Sequence, residues 1–344
     1  MSAQARKRLN DLWARGREFL GTEVAILGGA MSWISERHLV SAISNAGGFG
    51  IIACGSMGPD LLDAEIKATF ALTKNPFGVN LITMHPALDA LIDVCLANKV
   101  SHVVLAGGLP SSASIARLKE GGAKVVCFAP ALVLAKKLVR SGADALIIEG
   151  SEAGGHIGPV ATSVLAQEIL PNVTDVPVFV AGGIGRGEAI VSYLEMGAAG
   201  CQLGTRFVCA TECIAHENFK KAFLKANARD AMPTVQIDSS FPVIPVRALI
   251  NKGTEAFMDT QRRVIQSFKD GKVEQKDAQL EIEHFWAGAL KRAAIDGDVE
   301  HGSVMAGQVV GLVKCEQPTA EIIQELVDQA VAALEARHGA GAGG

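Results

Sequence analysis

The 344-residue sequence predicts an α/β fold, a (β/α)8 TIM barrel carrying a C-terminal helical lid subdomain. Three observations predict it. Eight short apolar runs recur, and their starts lie about 21 to 32 residues apart, the length that a strand, a helix and the return require. The runs are apolar on consecutive positions, as in strands buried on both faces of a parallel sheet. The pieces "GGAKVV", "SGADALII" and "MGAAGCQL" use one helix-end, turn and strand solution three times.

The elements follow in order. Residues 1–20 carry Arg6, Lys7, Arg8, Arg15 and Arg17 but no apolar core, so they read as a surface helix and not a secretion signal. The strand runs are 25–27, 50–53, 77–81, 103–106, 124–128, 145–149, 177–181 and 200–203. Between the first two, Ser35 can cap a helix with Leu39, Val40, Ile43 and Ala46 on its apolar face. Pro86 suits a first helical position before Leu88, Leu91, Ile92 and Cys95. Gly121, Gly142 and Gly197 each close a helix. Eight such units over residues 21–210 argue for a closed barrel, with a doubly wound open sheet as the alternative. Residues 211–338 break the rhythm and read as a helical lid packed on the barrel. Helical patterns fall at 212–226, 244–268, 278–294 and 319–337, and an extended segment at 234–242. Residues 339–344 read as a disordered Gly/Ala tail.

Composition narrows the function. Lys+Arg is 32 against Asp+Glu 36, a net charge of −4, which gives no footprint for nucleic acid or an anionic membrane. The uncharged stretch 39–59 is broken by Gly, Ser, Asn and Pro, so no membrane span is expected. Seven cysteines without a CxxC pair indicate a reduced, cytoplasmic protein without a metal site, and Cys209 and Cys213 read as packing residues.

In such barrels chemistry lies at the C-terminal ends of the strands. The seventh run is followed by Gly182, Gly183, Ile184 and Gly185, and the eighth by Gly204, Thr205 and Arg206. Glycines there let backbone N–H groups approach a phosphate, although the same residues also serve simple turns. Thr205 would add a hydroxyl, and Arg206 either charge or a structural ion pair. Beyond the sixth run comes Glu149-Gly150-Ser151-Glu152-Ala153-Gly154-Gly155-His156-Ile157-Gly158. An imidazole set among glycines at a strand end is the candidate acid–base group. The remaining histidines (His38, His85, His102, His216, His284, His301, His338) lie on helix patterns or ordinary connections. Glu149 and Glu152 either orient that imidazole, bind substrate, or stabilise the turn. Asn80 and Gln202 place amides inside apolar strands, and Gly28-Gly29-Ala30-Met31 leaves room for a flat ligand. Walker, HExxH and GxSxG motifs are absent, and 182–187 does not keep dinucleotide-turn spacing.

Seven segments carry a resemblance: "GGAMSW", "NAGGFGII", "PFGVN", "EGSEAGGHIG", "AGGI", "QLGTRF" and "GDVEHGSVMAGQVVGLV". They resemble the flavin-dependent enoyl-acyl-carrier-protein reductases of the FabK type, within the wider nitronate monooxygenase (2-nitropropane dioxygenase) superfamily. The resemblance implies FMN, with its phosphate at Gly182, Gly183, Gly204 and Thr205. It implies ring contacts from Gly29, Met31 and Asn80, pocket walls from Gln202 and Glu149, and catalysis by His156. Where the family often has Gln and Gly, this chain has Gly28 and Ala30. It further implies NADH or NADPH as reductant, an enoyl thioester on acyl carrier protein or CoA as substrate, and a homodimer. Lid cations Arg247, Lys252, Arg262 and Arg263 either meet the acidic carrier or simply face solvent. A nitronate monooxygenase and an NADH:quinone reductase are alternatives on the same scaffold. A flavin-free phosphate-binding lyase or isomerase is the alternative from another class.

Overall fold

The computed structural model describes residues 3–339 apart from 239 and 242. Strands β1 (Ile26–Gly28), β2 (Gly50–Ala53), β3 (Phe77–Ile82), β4 (His102–Ala106), β5 (Lys124–Phe128) and β6 (Ala145–Glu149) follow one another. A two-residue strand β7 (Gly155–His156) precedes β8 (Val178–Ala181) and β9 (Gly200–Leu203). All but β7 form one parallel sheet in the order β1-β9-β8-β6-β5-β4-β3-β2. The edges meet at a parallel bridge between Leu27 and Phe49, where Phe49 N–H donates to Ile26 O and Gly28 N–H donates to Phe49 O, both at 2.9 Å. The barrel therefore closes, and the open-sheet alternative is excluded.

Side chains alternate across the wall, as strand geometry dictates. Leu27, Phe49, Ile51, Val104, Val126, Ile147 and Phe179 fill the interior in one buried cluster. Ile26, Val79, Val103, Val125, Leu146 and Val180 face outward and join the larger core under the helices. The barrel floor is plugged from the N-terminal segment. That segment is two helices, Ala3–Leu12 and Ala14–Leu20, and not the single surface helix expected for 1–20. Leu9, Trp13 and Leu20 are fully buried. Phe19 packs edge-on against His102 and tilted against Phe179, with ring centroids 5.1 and 6.1 Å away.

Seven helices follow the strands around the barrel, but after β9 the chain makes only the single turn Thr205–Val208. The eighth place in the ring is taken by Thr319–Gly339, which the sequence pattern assigns to the lid. Amphipathic periodicity shows that a helix is covered, not what covers it. Here Gly187 N–H donates to Gln329 Oε1 at 2.9 Å, and Arg337 bonds Glu195 and Ser192 of the preceding ring helix. A Cβ on Gly187 would lie 2.1 Å from Leu326 O, so glycine permits this contact.

The intervening residues carry the helices Glu217–Lys225, Lys252–Lys269 and Gln275–Ala294. They also form β10 (Ala231–Pro233), β11 (Val246–Leu249) and β12 (Val304–Met305), an antiparallel sheet that β7 joins through β11. Thus Val246–Leu249, expected to lie within a helix, is strand. Of the extended segment expected at 234–242, residues 239 and 242 lie outside the described residues; 234–238 form no regular strand, and Gln261 accepts from Ile237 N–H at 2.8 Å. Phe241, Phe257, Val264, Ile282 and Trp286 give the long hairpin its own core. Residues 340–344 of the expected tail lie outside the described residues. Among the described residues no helix is long and apolar enough to cross a membrane.

Candidate active site

Register sets the barrel mouth. Glu149 pairs with Ala181, and Ala181 with Gln202, so the carboxyl and the amide stand at one height two strands apart. Both continue the inward-facing rows, Glu149 after Ala145 and Ile147, and Gln202 after Gly200. Asn80 lies in the corresponding row of β3, buried, with Nδ2 donating to Val104 O at 3.4 Å. Gln202 is 6% exposed, yet none of the described residues bonds its side-chain amide. Loss of solvation, with no cation to offset it, raises the Glu149 carboxyl to about 8, so it is neutral at pH 7.

Two glycine loops rim this mouth. Gly182 and Gly183 have φ of +89° and +70°, a backbone that other residues enter only with strain. A Cβ on Gly182 would meet Gly150 O at 3.0 Å. A Cβ on Gly29 would lie 3.3 Å from Gly204 Cα, and Met31 Sδ would lie 3.4 Å from a Cβ on Gly204. Among the described residues no hydrogen bond starts from the N–H of Gly182, Gly183, Gly204 or Thr205. Thr205 Oγ1 accepts from Gly307 N–H at 3.0 Å, which leaves its own proton to donate. Arg206 makes the structural ion pair of the two roles open to it. It is 4% exposed, and its Nη2 meets Glu325 of the last helix at 2.8 Å. Ser35 is not the helix cap. Its hydroxyl donates to Gly29 O at 2.7 Å, and Glu36 caps the helix instead.

The loop after β6 carries His156 out to the lid. Gly150 N–H donates to Ala181 O at 3.1 Å, and Ser151 N–H to Val160 O at 2.8 Å. The Glu152 carboxylate accepts from Thr162 N and Oγ1 at 2.9 and 3.0 Å, so it stabilises the turn. His156 is exposed and pairs with Val246. Gly154 is pressed on the lid, where a Cβ would lie 2.6 Å from Gly307 N. A cavity of about 700 Å3 opens beside Gly183, between Glu152, Arg229, Gln308 and Leu312. The sequence did not mark Met305, Gly307, Gln308 or the buried Arg247 as neighbours of this loop. Only the "GSVMAGQ" resemblance hinted at three of them. Of the other lid cations, Lys252 pairs with Glu300, Arg262 with Asp259 and Arg263 with Glu281.

The family model for nitronate monooxygenase matches residues 15–91 and 87–329. The chain belongs to the nitronate monooxygenase family. It is 32% identical over 92% of its length to a Mycobacterium tuberculosis (3aS,4S,5R,7aS)-5-hydroxy-7a-methyl-1-oxo-octahydro-1H-indene-4-carboxyl-CoA dehydrogenase, covering 96% of that protein. The structure of FabK from Thermotoga maritima superposes with a TM-score of 0.84 and 36% identity, over 95% of this chain and 98% of that one. Nitroalkane oxidase from Streptomyces ansochromogenes gives a TM-score of 0.76 and 27% identity, over 92% and 98%. This nitronate monooxygenase family member is therefore an oxidoreductase. The residues at its mouth fit a phosphorylated flat cofactor such as FMN. Unengaged amides lie on two adjacent loops, the glycine surfaces admit close approach, and the Gln202 amide is open to a ring edge. Among the described residues no group of three or more His, Cys, Asp or Glu could hold a metal ion.

Proposed function

We propose that the protein is an FMN-dependent enoyl-thioester reductase. It takes hydride from NADH or NADPH and acts on a trans-2-enoyl thioester of acyl carrier protein or CoA. One observation carries the reading: a lid strand holds the exposed His156 at the C-terminal end of a barrel whose rim glycines offer unengaged amides. The FabK likeness, at 36% identity, and the CoA dehydrogenase likeness, at 32%, support a thioester substrate.

Bound FMN would supply the hydride chemistry. The N–H groups of Gly182, Gly183, Gly204 and Thr205, with the Thr205 hydroxyl, would hold its phosphate. Gly29, Met31, Asn80 and Gln202 would line its ring. Glu149, neutral at pH 7, offers a hydrogen-bond donor without adding charge to the mouth. When the enoyl β-carbon accepts hydride, negative charge develops on the thioester oxygen. His156 donates a hydrogen bond there, an interaction worth on the order of 3 kcal/mol, and returns a proton to the α-carbon. The reading carries with it a cytoplasmic homodimer.

A second reading, nitronate oxidation with O2 as acceptor, is favoured by the nitroalkane oxidase likeness at 27% identity. The deciding experiment is anaerobic NADH turnover with crotonyl-CoA beside propionate 3-nitronate. Rapid flavin bleaching by NADH and reoxidation by crotonyl-CoA supports the reductase. Bleaching by the nitronate alone, with NADH inert, overturns it. A protein purified without absorbance near 450 nm overturns both.

A further inference from the structure

Arg247 is a long cation on a lid strand, where a solvent-facing side chain is the ordinary expectation. Instead it is 6% exposed. Its Nε donates to Ser151 O at 2.9 Å and its Nη1 to Ala231 O at 2.6 Å. Among the described residues no carboxylate lies within ion-pair distance of it. Glu152 acts on it only from farther off, and burial pulls the guanidinium below its usual pKa. A buried guanidinium held by main-chain carbonyls is costly, so its retention calls for a structural task.

The task follows from what the two carbonyls belong to. Ser151 begins the loop that carries His156, and Ala231 begins β10. Arg247 itself lies on β11, opposite Gly155, one register step from the Val246–His156 pair. Ile157 N–H donates to Pro245 O at 2.9 Å, and Gln308 N–H to Glu152 O at 3.0 Å. The loop is thus sewn to the lid along its length, and the guanidinium fork fastens the stem of the loop to the sheet that meets its tip. A planar fork reaches two carbonyls at a fixed separation, whereas an ammonium on a flexible stem does not fix that geometry.

We propose that Arg247 is the positioning residue for His156, clamping the 150–158 loop to the lid sheet so that the imidazole is held in one place. The inference rests on the catalytic reading of His156 for its effect on rate, but not for the clamp itself.

The test uses the intact FMN-loaded protein and the Arg247→Lys and Arg247→Met variants. Hydrogen exchange of peptides spanning 150–158 is expected to quicken at least fivefold, with barrel-strand peptides and flavin absorbance unchanged. With NADH and crotonyl-CoA, Arg247→Lys is expected to lose about tenfold in kcat with KM within twofold. Added to His156→Ala it should cost less than twofold more, because groups acting as a unit are not additive. If Arg247→Met does not fold, Arg247→Lys carries the test. Unchanged exchange in 150–158 overturns the clamp. An equal kcat loss with and without His156 overturns the positioning role. A His156→Ala variant with undiminished turnover overturns the catalytic reading instead, and exchange still decides the clamp.

Discussion

Thr205 and Gly307 are joined across 102 residues of sequence by a single hydrogen bond, Gly307 N–H to Thr205 Oγ1 at 3.0 Å. The bond ties the rim after β9 to the lid segment that presses on Gly154. In the proposed site the same hydroxyl would donate to the FMN phosphate. Thr205→Val keeps the shape and removes both bonds. A net hydrogen bond is worth about 1 kcal/mol, and one to a charged group about 2. The expected outcome is FMN affinity weakened 10- to 100-fold, read by flavin fluorescence on titration of the apoprotein. Affinity within twofold of wild type would remove Thr205 from the cofactor site.

Gly182 cannot accept a side chain cheaply. Its φ is +89°, and the added Cβ would sit 3.0 Å from Gly150 O. Gly182→Ala is expected to cost about 1–3 kcal/mol of stability through strain at this site. It should also lower flavin occupancy, measured as the ratio of 450 to 280 nm absorbance after purification.

His102 stands on the barrel floor between the rings of Phe19 and Phe49. Its Nε2–H donates to Phe19 O at 2.9 Å. Burial, the largest cause, pulls its pKa from 6.5 to about 4, so the native state binds this proton more weakly than the unfolded chain does. Stability is therefore fully present above about 6.5 and falls as pH drops toward 4. The loss attributable to this residue is on the order of 3 kcal/mol. Tm measured from pH 7 to 4 should fall more steeply for wild type than for His102→Gln. Parallel curves would contradict the burial argument.

Glu149 predicts the opposite slope. A folded pKa raised from 4.5 to about 8 means that the native state holds the proton more tightly. The stability it lends is complete below about 4.5 and is lost as pH rises through 8. Glu149→Gln preserves the neutral shape, so it should match wild type near pH 5 and exceed it in Tm at pH 9. A Gln variant less stable than wild type at pH 9 would show that the carboxylate is paired when charged.

Why some of this was legible and some not comes down to the length of each signal. Parallel strands buried on both faces spell themselves out in runs such as Val178–Ala181, and the sequence runs coincide with the barrel strands to within a residue or two at each end. The glycine loops could be placed because they follow those runs. By contrast β7 and β12 have two residues each, too few for any period. β11 merges by composition into the helix that begins at Lys252. Ser35 and Glu36 can both cap a helix, and only the backbone decides which one does. Arg247, read with the other lid cations as facing a carrier or solvent, is buried instead, and its partners could not be foreseen because they are carbonyl oxygens, which every residue has.

The eighth helical place in the ring is filled by Thr319–Gly339, more than a hundred residues beyond the eighth barrel strand. During synthesis, seven strand–helix units and the eighth strand leave the ribosome well before the helix that seals the ring. Until that last helix emerges, the outer face of Gly187–Glu195 has no cover, so the ring is completed only when the final helix docks.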